Sequence, residues 1–461
     1  MKTKLTALAL AATLAAAAPA RAELVVPSLS YRTGPYGANG TQYADGFADY
    51  FTLLNERDGG IGGERIQVPE CETAYNTEKG VECYEATKDT GALVYNPLST
   101  GITYQLIPKV SVDKKVLYTP GYGRTSAKNG KVFEWVFNAP ANYWDGASVA
   151  IKYLLDENGG DLSGKKIALV YHNSAYGKEP IRTLQKLSEK HGFELSEIPI
   201  DPPGQEQKSQ WLQIRRERPD YVIMYGWGVM NQAAIQEAAN IRFPMENFIG
   251  IWWAGSEVDV LPVGAGANGY KALTFNGVGM DYPVYDDMRK FVIEPGKASQ
   301  GGQYVGSALY SRGMYAAVVI AEAIRKAQEI AGTAAIDAQQ LRDGFEQLDI
   351  TPERLTEIGL PDFGPEISLS CANHGGHECA FCSYSYHLAG STGAARCANN
   401  HCVCAHGTAV ATDDCGSHES TACVSCNPGY ALAGPPGSRY CGEVGGAVCQ
   451  CPGGVPAVGS A

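Results

Sequence analysis

The sequence has little positive charge and, beyond its first residues, no long apolar run. Its 461 residues carry 37 Lys and Arg against 49 Asp and Glu, a formal net charge of -12. An acidic surface repels nucleic acid and anionic lipid, so neither is expected as a partner. No later segment approaches the ~20 apolar residues that a transmembrane helix needs. With 44% apolar residues, we expect a soluble chain with ample material for packed cores.

The sequence also lacks the motifs that commonly mark an active site. It contains no G-x-S-x-G, Walker A or H-E-x-x-H pattern. Residues 264–269 match G-x-G-x-x-G, but they lead into a predicted strand, Lys271–Phe275, whereas a dinucleotide site needs a helix there. His172 stands alone and is expected to be a polar lining residue rather than a base. We therefore expect no enzyme, no cofactor and no metal site.

The first residues predict export. Lys2 and Lys4 precede an apolar stretch of roughly 15 residues, and Ala20-Arg21-Ala22 forms an A-x-A site before Glu23. This pattern is typical of a secretory signal peptide over residues 1–22. The mature chain is expected to be periplasmic or secreted.

Cysteine is nearly absent from the first 370 residues and abundant after them. Only Cys71 and Cys83 occur in the first part, and the other cysteines lie between Cys371 and Cys451. Export favours a Cys71–Cys83 disulfide with a structural role. The uneven distribution divides the chain into a larger α/β part and a small cysteine-rich tail, residues 377–461.

Two six-cysteine copies make up the cysteine-rich region. Both begin C-x7-C-x2-C-x14-C and form a tandem repeat of about 44 to 47 residues. The repeat resembles the EGF-like or receptor-type cysteine-rich units of extracellular proteins, with three disulfides each. Zinc is the alternative, because Cys379-x2-Cys382 and Cys423-x2-Cys426 stand among scattered histidines. Export and the even number of cysteines favour disulfides.

Strand-like and helix-like segments alternate through the larger part, which predicts parallel sheets covered by helices. Roughly 350 residues exceed one such sheet, so two lobes are expected. The predicted strands are Leu24–Leu29, Ala92–Tyr95, Lys115–Thr119, Ile167–Tyr171, Tyr221–Tyr225 and Phe248–Trp252. The predicted helices are Thr41–Asn55, Trp144–Glu157, Glu179–His191, Asn231–Asn240 and Leu309–Glu329.

Three loops at predicted strand ends combine glycine with hydroxyls or aromatic rings. They are Tyr31–Gly37, Asn96–Gly101 and Thr119–Gly123. Ligands of open α/β sheets bind beyond the carboxyl ends of the strands, where backbone N–H groups converge. Such residues are also ordinary turn formers, but three loops in register favour a binding site.

The order of these blocks resembles the branched-chain amino acid binding protein family, the type I periplasmic solute-binding proteins of ABC transporters. The resemblance rests on SYRTGPYGANGTQYADGFADYFTLLNERDGGIGGERIQV, on the Ser99 loop, on Tyr118-Thr119-Pro120 and on Ile167–Gly177. It covers about residues 24–376 and implies an α/β fold of two Rossmann-like lobes. Three crossovers would join the lobes, near Asn138–Tyr143, Phe275–Gly279 and Asp362–Ser370.

The implied binding domain, residues 23–376, divides between the lobes. Lobe 1 is expected at about 23–138 and 280–330, and lobe 2 at about 143–275 and 331–376. The resemblance assigns Ser99 to the ligand carboxylate, Gly121 to Gly123 to its amino-acid head, and Tyr176 and Trp227 to aromatic contacts. The full set of expected ligand-binding residues is Tyr36, Asn39, Ser99, Thr100, Gly121, Tyr122, Gly123, Tyr176, Trp227, Trp252 and Trp253.

Trp252 and Trp253 depart from the family pattern. Amino-acid binders have an acidic residue after the Phe248 strand to pair with the ligand ammonium, whereas Glu257 and Asp259 follow several residues later here. Indole surface without an ammonium partner fits a carboxylate, amide or aromatic acid. The alternative is that one tryptophan belongs to the core and Glu257 still reaches the site.

Two function classes follow from this reading. The first is an extracytoplasmic receptor that closes on a small ligand and docks on the membrane permease of an ABC importer. The second is a ligand-sensing or adhesive extracellular receptor whose cysteine-rich repeats contact another surface.

Overall fold

The computed structural model describes residues 23–369 and six short strands in the tail. In chain order, the first tail strand pairs antiparallel with the second, the third with the fourth and the fifth with the sixth. They span Tyr386–Ala389, Arg396–Asn399, Gly407–Ala409, Cys423–Cys426, Tyr430–Ala433 and Tyr440–Glu443. The predicted signal peptide and the disulfide or zinc pairing of the tail lie outside the described residues.

Parallel strands and flanking helices form a first body, here called lobe 1. Its strands are β1 Leu24–Val25, β2 Ser28–Ser30, β3 Ile66–Gln67, β4 Glu70–Glu72, β5 Val94–Tyr95, β6 Val116–Tyr118 and β7 Val136–Phe137. Strands β5, β6 and β7 form one parallel sheet, while β1 pairs with β3 and β2 with β4. The helices are α1 Gly37–Arg57, α2 Thr77–Thr87 and α3 Thr100–Asp113.

A five-stranded parallel sheet with helices forms the second body, lobe 2. Its strand order is β12-β11-β10-β8-β9. The strands are β8 Lys166–His172, β9 Glu194–Ile200, β10 Tyr221–Tyr225, β11 Phe248–Gly250 and β12 Lys271–Ala272. The helices are α4 Tyr143–Glu157, α5 Ala175–Lys178, α6 Ile181–His191, α7 Lys208–Glu217, α8 Val229–Asn240 and α9 Glu257–Val260.

The chain then returns to lobe 1. The returning elements are α10 Pro283–Met288, α11 Ala308–Ala331, α12 Ala338–Glu346, β13 Asp349–Ile350, α13 Pro352–Glu357 and β14 Ile367–Ser368. Short 3₁₀ turns occupy Thr125–Lys128, Met245–Asn247, Trp252–Ala254, Leu261–Ala267 and Ser299–Gly302, and a π turn follows α10 at Arg289–Ile293.

The expected assignment of residues 331–376 to lobe 2 is wrong for the described part of that segment. The Phe345 ring of α12 stacks on Phe137 and packs on Tyr118, both in the sheet of lobe 1. The Tyr315 hydroxyl of α11 donates a hydrogen bond to the Pro365 carbonyl. An apolar face on α12 can be buried against α11, so the segment stays in lobe 1.

Helices α1 and α11 form the central packing contact of lobe 1. The apolar face of α1 is buried, and Gly46 lies against the backbone of Tyr310 so closely that a Cβ there would be 1.9 Å from the carbonyl oxygen. Gly313 of α11 lies equally close to the Tyr43 carbonyl. These two glycines let the helix backbones touch.

The chain passes from lobe 1 to lobe 2 between β7 and α4 and returns between β12 and α10. Phe363 accepts a backbone hydrogen bond from Gly277 of the second passage. The third predicted crossover, Asp362–Ser370, runs beyond the described residues and stays a prediction. Within the described part of the chain, no helix combines the length and apolar character needed to cross a membrane.

The predicted Cys71–Cys83 disulfide is confirmed. It joins β4 to α2, with the two Cα atoms 5.8 Å apart. Asn76 caps α2 by accepting a hydrogen bond from the Lys79 N–H. The bond therefore fixes the segment that carries Tyr75, a residue of the candidate site.

Candidate functional site

A narrow cavity lies between the two lobes at the carboxyl ends of their strands. Its space is about 230 Å³ with the open mouth included. Six of its eight lining residues are aromatic. They are Tyr75, Tyr122, Tyr143, Tyr176, Trp227 and Trp253, with Leu98 and Thr100 completing the wall.

Lobe 1 contributes the loop after β5 and the turn after β6. Leu98 adopts φ 42° just before Ser99, whose side chain caps α3 by accepting from the Ile102 N–H. The Tyr122 hydroxyl donates to Asn96 Oδ1 at 2.8 Å and accepts from the Leu98 N–H at 2.9 Å. The Tyr122 ring is thus held in place by the loop it faces.

Lobe 2 contributes rings that follow β8, β10 and β11. The Tyr176 hydroxyl donates to the Gly226 carbonyl at 2.9 Å, which ties the loop after β8 to the loop after β10. The Trp227 indole N–H is buried and makes no hydrogen bond of regular geometry. Its polar neighbour is the Tyr31 hydroxyl, whose pKa burial raises well above its usual value.

Trp252 and Trp253 play different parts. Both indole N–H groups donate to the Gly121 carbonyl, at 2.8 and 2.9 Å. Trp253 lines the cavity, whereas Trp252 stacks on Tyr143 and packs against Phe275 away from it. Gly121 has φ +72°, and a Cβ there would meet Phe275 and Trp252. The alternative that one tryptophan belongs to the core thus describes Trp252.

Several residues that were predicted to contact the ligand instead form hydrogen bonds within the protein. Gly123 donates its N–H to the Thr100 hydroxyl at 3.1 Å, and Ser99 Oγ caps α3. The Gly121 carbonyl holds both indoles. Of the residues predicted to bind ligand, Thr100, Tyr122, Tyr176, Trp227 and Trp253 line the cavity, whereas Ser99, Gly121, Gly123 and Trp252 lie beside it.

Tyr36 and Asn39 connect the lobes rather than line the cavity. The Tyr36 hydroxyl is 2.8 Å from His172 Nε2, and Asn39 donates to Asp259 Oδ1 at 3.3 Å. His172 Nδ1 is 2.8 Å from Ser174 Oγ. Burial lowers the pKa of His172 to about 4, so the ring is neutral at physiological pH.

Neither acidic residue after β11 lines the cavity. Both carboxylate oxygens of Glu257 accept from the Ala308 N–H at the start of α11. Asp259 is buried, which raises its pKa, and it accepts hydrogen bonds from Asn39, Asn231 and Ser256. The alternative in which Glu257 reaches the site is not what the structure has.

Sequence reasoning missed the lining residues Leu98, Tyr75 and Tyr143 and, behind the lining, Arg312. Tyr75 follows Ala74 in a turn where both have positive φ, and Tyr143 begins α4 directly after the first crossover. Arg312 is buried on α11, behind Trp253. Tyr75 and Tyr143 could have been suspected from the sequence, because each is an aromatic residue next to a turn. Arg312 gave no such signal, because the sequence of α11 indicates a helix that is buried along its whole length.

Among residues 23–369, no group of three or more His, Cys, Asp or Glu side chains could hold a metal ion. The hydroxyls of Tyr122, Tyr143 and Tyr176 are neutral, because burial raises each pKa well above its usual value. The cavity is therefore an apolar aromatic slot with neutral polar edges.

The family model for periplasmic binding proteins matches residues 23–384. A crystal structure described as an ABC transporter permease from the Pseudomonas fluorescens group is 39% identical, with a TM-score of 0.71, and the match covers 76% of this chain and 86% of that one. A curated relative, the Leu/Ile/Val-binding protein homolog 3 of Brucella melitensis, is 25% identical over 48% of this chain. That alignment spans only 59% of the relative's own length.

Two more distant crystal structures share the fold. A branched-chain amino acid ABC transporter protein from Thermus thermophilus with bound valine is 18% identical, with a TM-score of 0.66, over 82% of this chain and 95% of that one. A solute-binding protein of an ABC transporter from R. palustris in complex with benzoate is 18% identical, with a TM-score of 0.57, over 71% and 86%.

Proposed function

Because the chain belongs to the periplasmic binding protein family, whose members bind solutes outside the cytoplasm, we propose that it is the solute receptor of an ABC importer. We further propose that its ligand is a small aromatic carboxylate or amide. The lobes close on this ligand, and the closed form docks on the membrane permease.

The observation that carries the ligand class is the lack of a free carboxylate among the lining residues. Valine and benzoate, the ligands of two solved structures with this fold, both carry a carboxylate, but only valine carries an ammonium group. A buried ammonium needs an acidic partner. Glu257 is engaged by the start of α11, and Asp259 by three polar side chains. These contacts support a ligand without an ammonium group.

The aromatic residues that line the cavity favour a flat, aromatic ligand. Trp227 and Trp253 meet edge to face with ring centroids 5.5 Å apart, and Tyr143 lies 5.1 Å from Tyr176. Aromatic side chains favour offset or edge-to-face contacts with another ring. An aromatic ligand ring could make contacts of this kind with the same four side chains. The Thr100 hydroxyl and the Trp227 indole N–H offer polar contacts at its edge.

The test is a thermal-shift panel on the purified full chain. The panel contains benzoate, 4-hydroxybenzoate, benzamide, leucine and valine. Saturation at 100-fold above Kd stabilises the folded state by about 2.7 kcal/mol, equivalent to a Tm increase of roughly 4 °C in a domain of about 350 residues. We expect this shift with an aromatic acid or amide and none with leucine or valine.

A shift with leucine would contradict the ligand class and leave the receptor role intact. A flat panel from a well-folded protein would instead favour the ligand-sensing or adhesive receptor. The cysteine-rich repeats of the sequence are the feature that keeps this second function open.

A further inference from the structure

Arg312 is a buried cation without an ionic partner among the described residues. Its side chain on α11 is 3% exposed. It donates hydrogen bonds to Asn276 Oδ1, to the Trp252 carbonyl and to the Thr274 hydroxyl, all of which are neutral acceptors. Burial lowers the pKa of Arg312 to about 10, which leaves the guanidinium charged at neutral pH.

The charge lies one aromatic ring away from the cavity. The guanidinium carbon is 5.1 Å from the centre of the Trp253 ring and 5.0 Å from that of Phe275. Trp253 lines the cavity, whereas Arg312 does not. Asp259 and Glu257 act on Arg312 only from beyond ion-pair distance, and other donors occupy both carboxylates. Arg312 thus contributes positive potential where a ligand would contact the indole.

We propose that Arg312, held behind the Trp253 indole, makes the cavity select an aromatic anion over its neutral amide. This proposal rests on the proposed function and narrows its ligand class to carboxylates. A buried cation costs free energy unless something compensates for it, and a bound carboxylate would supply the missing negative charge.

The expected size of the preference follows from the distances. A ligand ring packed on Trp253 would lie about 5 Å from it, and hence about 10 Å from the guanidinium. At an effective dielectric constant of about 20, this separation corresponds to an affinity ratio on the order of tenfold. Because the pair is buried, salt should screen it little.

The experiment compares benzoate with benzamide by isothermal titration calorimetry at pH 7.5. The proteins are the full wild-type chain, R312Q and the charge-preserving control R312K. We expect wild type and R312K to bind benzoate about tenfold more tightly than benzamide. In R312Q the two affinities should agree within about twofold, with the loss confined to benzoate.

A merely structural role of Arg312 would give a different result. Its hydrogen bonds connect α11 to the second crossover, so a positioning role alone would weaken both ligands equally in R312Q. That outcome would overturn the proposal, as would an unchanged benzoate preference in R312Q. Equal affinities in wild type would overturn it too, while leaving an aromatic solute as ligand. Binding of neither probe would refute the proposed ligand class and the anion preference together.

A second measurement uses wild type alone, in case R312Q does not fold. The ratio of the benzoate affinity to the benzamide affinity is measured at 50 mM and 500 mM NaCl. If the preference comes from the buried charge of Arg312, this ratio should change by less than about twofold. A ratio that collapses at high salt would assign the preference to surface charge and would refute the role of Arg312.

Discussion

Trp227 is the lining residue whose side chain has the fewest polar contacts within the protein. Its indole N–H forms no regular hydrogen bond, so its substitution removes mainly ring surface. We expect Trp227→Ala to weaken an aromatic ligand by about 10- to 100-fold, and Trp227→Phe to weaken it by less than about tenfold. Isothermal titration calorimetry measures both. Trp144→Ala, outside the cavity lining, is the matched control and should bind as wild type does.

His172 predicts a dependence of stability on pH. Burial lowers its pKa to about 4 in the folded chain, whereas the unfolded value is about 6.5. The unfolded chain therefore binds the extra proton, and stability is lost as the pH falls from about 6.5 towards 4, by about 2 kcal/mol at pH 5. The groups facing the ring do not titrate in this range: Ser174, Tyr176, and Tyr36, whose pKa burial raises to about 12.

The check is urea unfolding at pH 7.5 and pH 5.0 for wild type and His172→Gln. The variant cannot take up a proton at this position, so its free energy of unfolding should fall by about 2 kcal/mol less than that of wild type. Equal falls would mean that His172 is protonated in the folded state or does not lie in a buried environment.

Single residues also mark the limit of what the sequence predicts. Trp252 and Trp253 are neighbours with the same side chain, and no pattern in the sequence distinguishes them. The 3₁₀ turn at Trp252–Ala254 sends one ring into the cavity and the other towards Phe275. Arg312 lies in a helix whose sequence indicates burial throughout. Only the packing of α11 in the structure shows which groups surround its guanidinium.

At the scale of elements, periodicity predicted the helices α1, α4, α6, α8 and α11 and the strands that lead into the site, but it missed α2, α3 and α7. The helix predicted at Thr41–Asn55 spans Gly37–Arg57, and the one predicted at Leu309–Glu329 spans Ala308–Ala331. The position of residues 338–369 was not predictable in this way. An amphipathic helix such as α12 specifies that one face is buried but not which lobe buries it.

The contact between α1 and α11 makes a prediction for glycine. A methyl group on Gly46 would overlap the Tyr310 carbonyl, which is backbone and cannot rotate away. We expect Gly46→Ala to lower the free energy of unfolding by about 3 kcal/mol or more, as overpacking of a rigid contact does. Gly130→Ala is the control, because a Cβ there has open space and should change stability by less than about 1 kcal/mol. Urea denaturation compares the two, and equal stabilities would contradict the packing.

The Cys71–Cys83 bond is a second element-scale test. It closes a loop with a sequence separation of 12, for which chain entropy predicts a stabilisation of about 3 kcal/mol. A double substitution to serine should lower the free energy of unfolding by this amount under non-reducing conditions. Adding reductant should affect wild type more than the variant. Because Tyr75 follows β4 within this loop, we also expect weaker ligand binding in the serine variant.

At the scale of the whole molecule, the two lobes meet at rims on either side of the cavity. On one rim, Tyr36 and Asn39 of lobe 1 contact His172 and Asp259 of lobe 2. On the other, Glu179 of lobe 2 accepts hydrogen bonds from the Tyr104 hydroxyl and from the Thr125 N–H at 3.1 Å, both in lobe 1. A receptor that closes on its ligand must form and break these contacts together.

Glu179 allows closure to be tested without touching the cavity. Glu179→Ala removes both acceptors on its rim while every lining side chain stays, so the open form should gain population and the ligand should dissociate faster. We expect Kd to rise by about tenfold, mainly through the dissociation rate, and the ligand-free radius of gyration to increase in small-angle scattering. Glu189→Ala, on the exposed side of α6, should change neither quantity. Unchanged binding and scattering in Glu179→Ala would mean that this rim does not hold the lobes together, and that closure depends on Tyr36, His172 and the cavity itself.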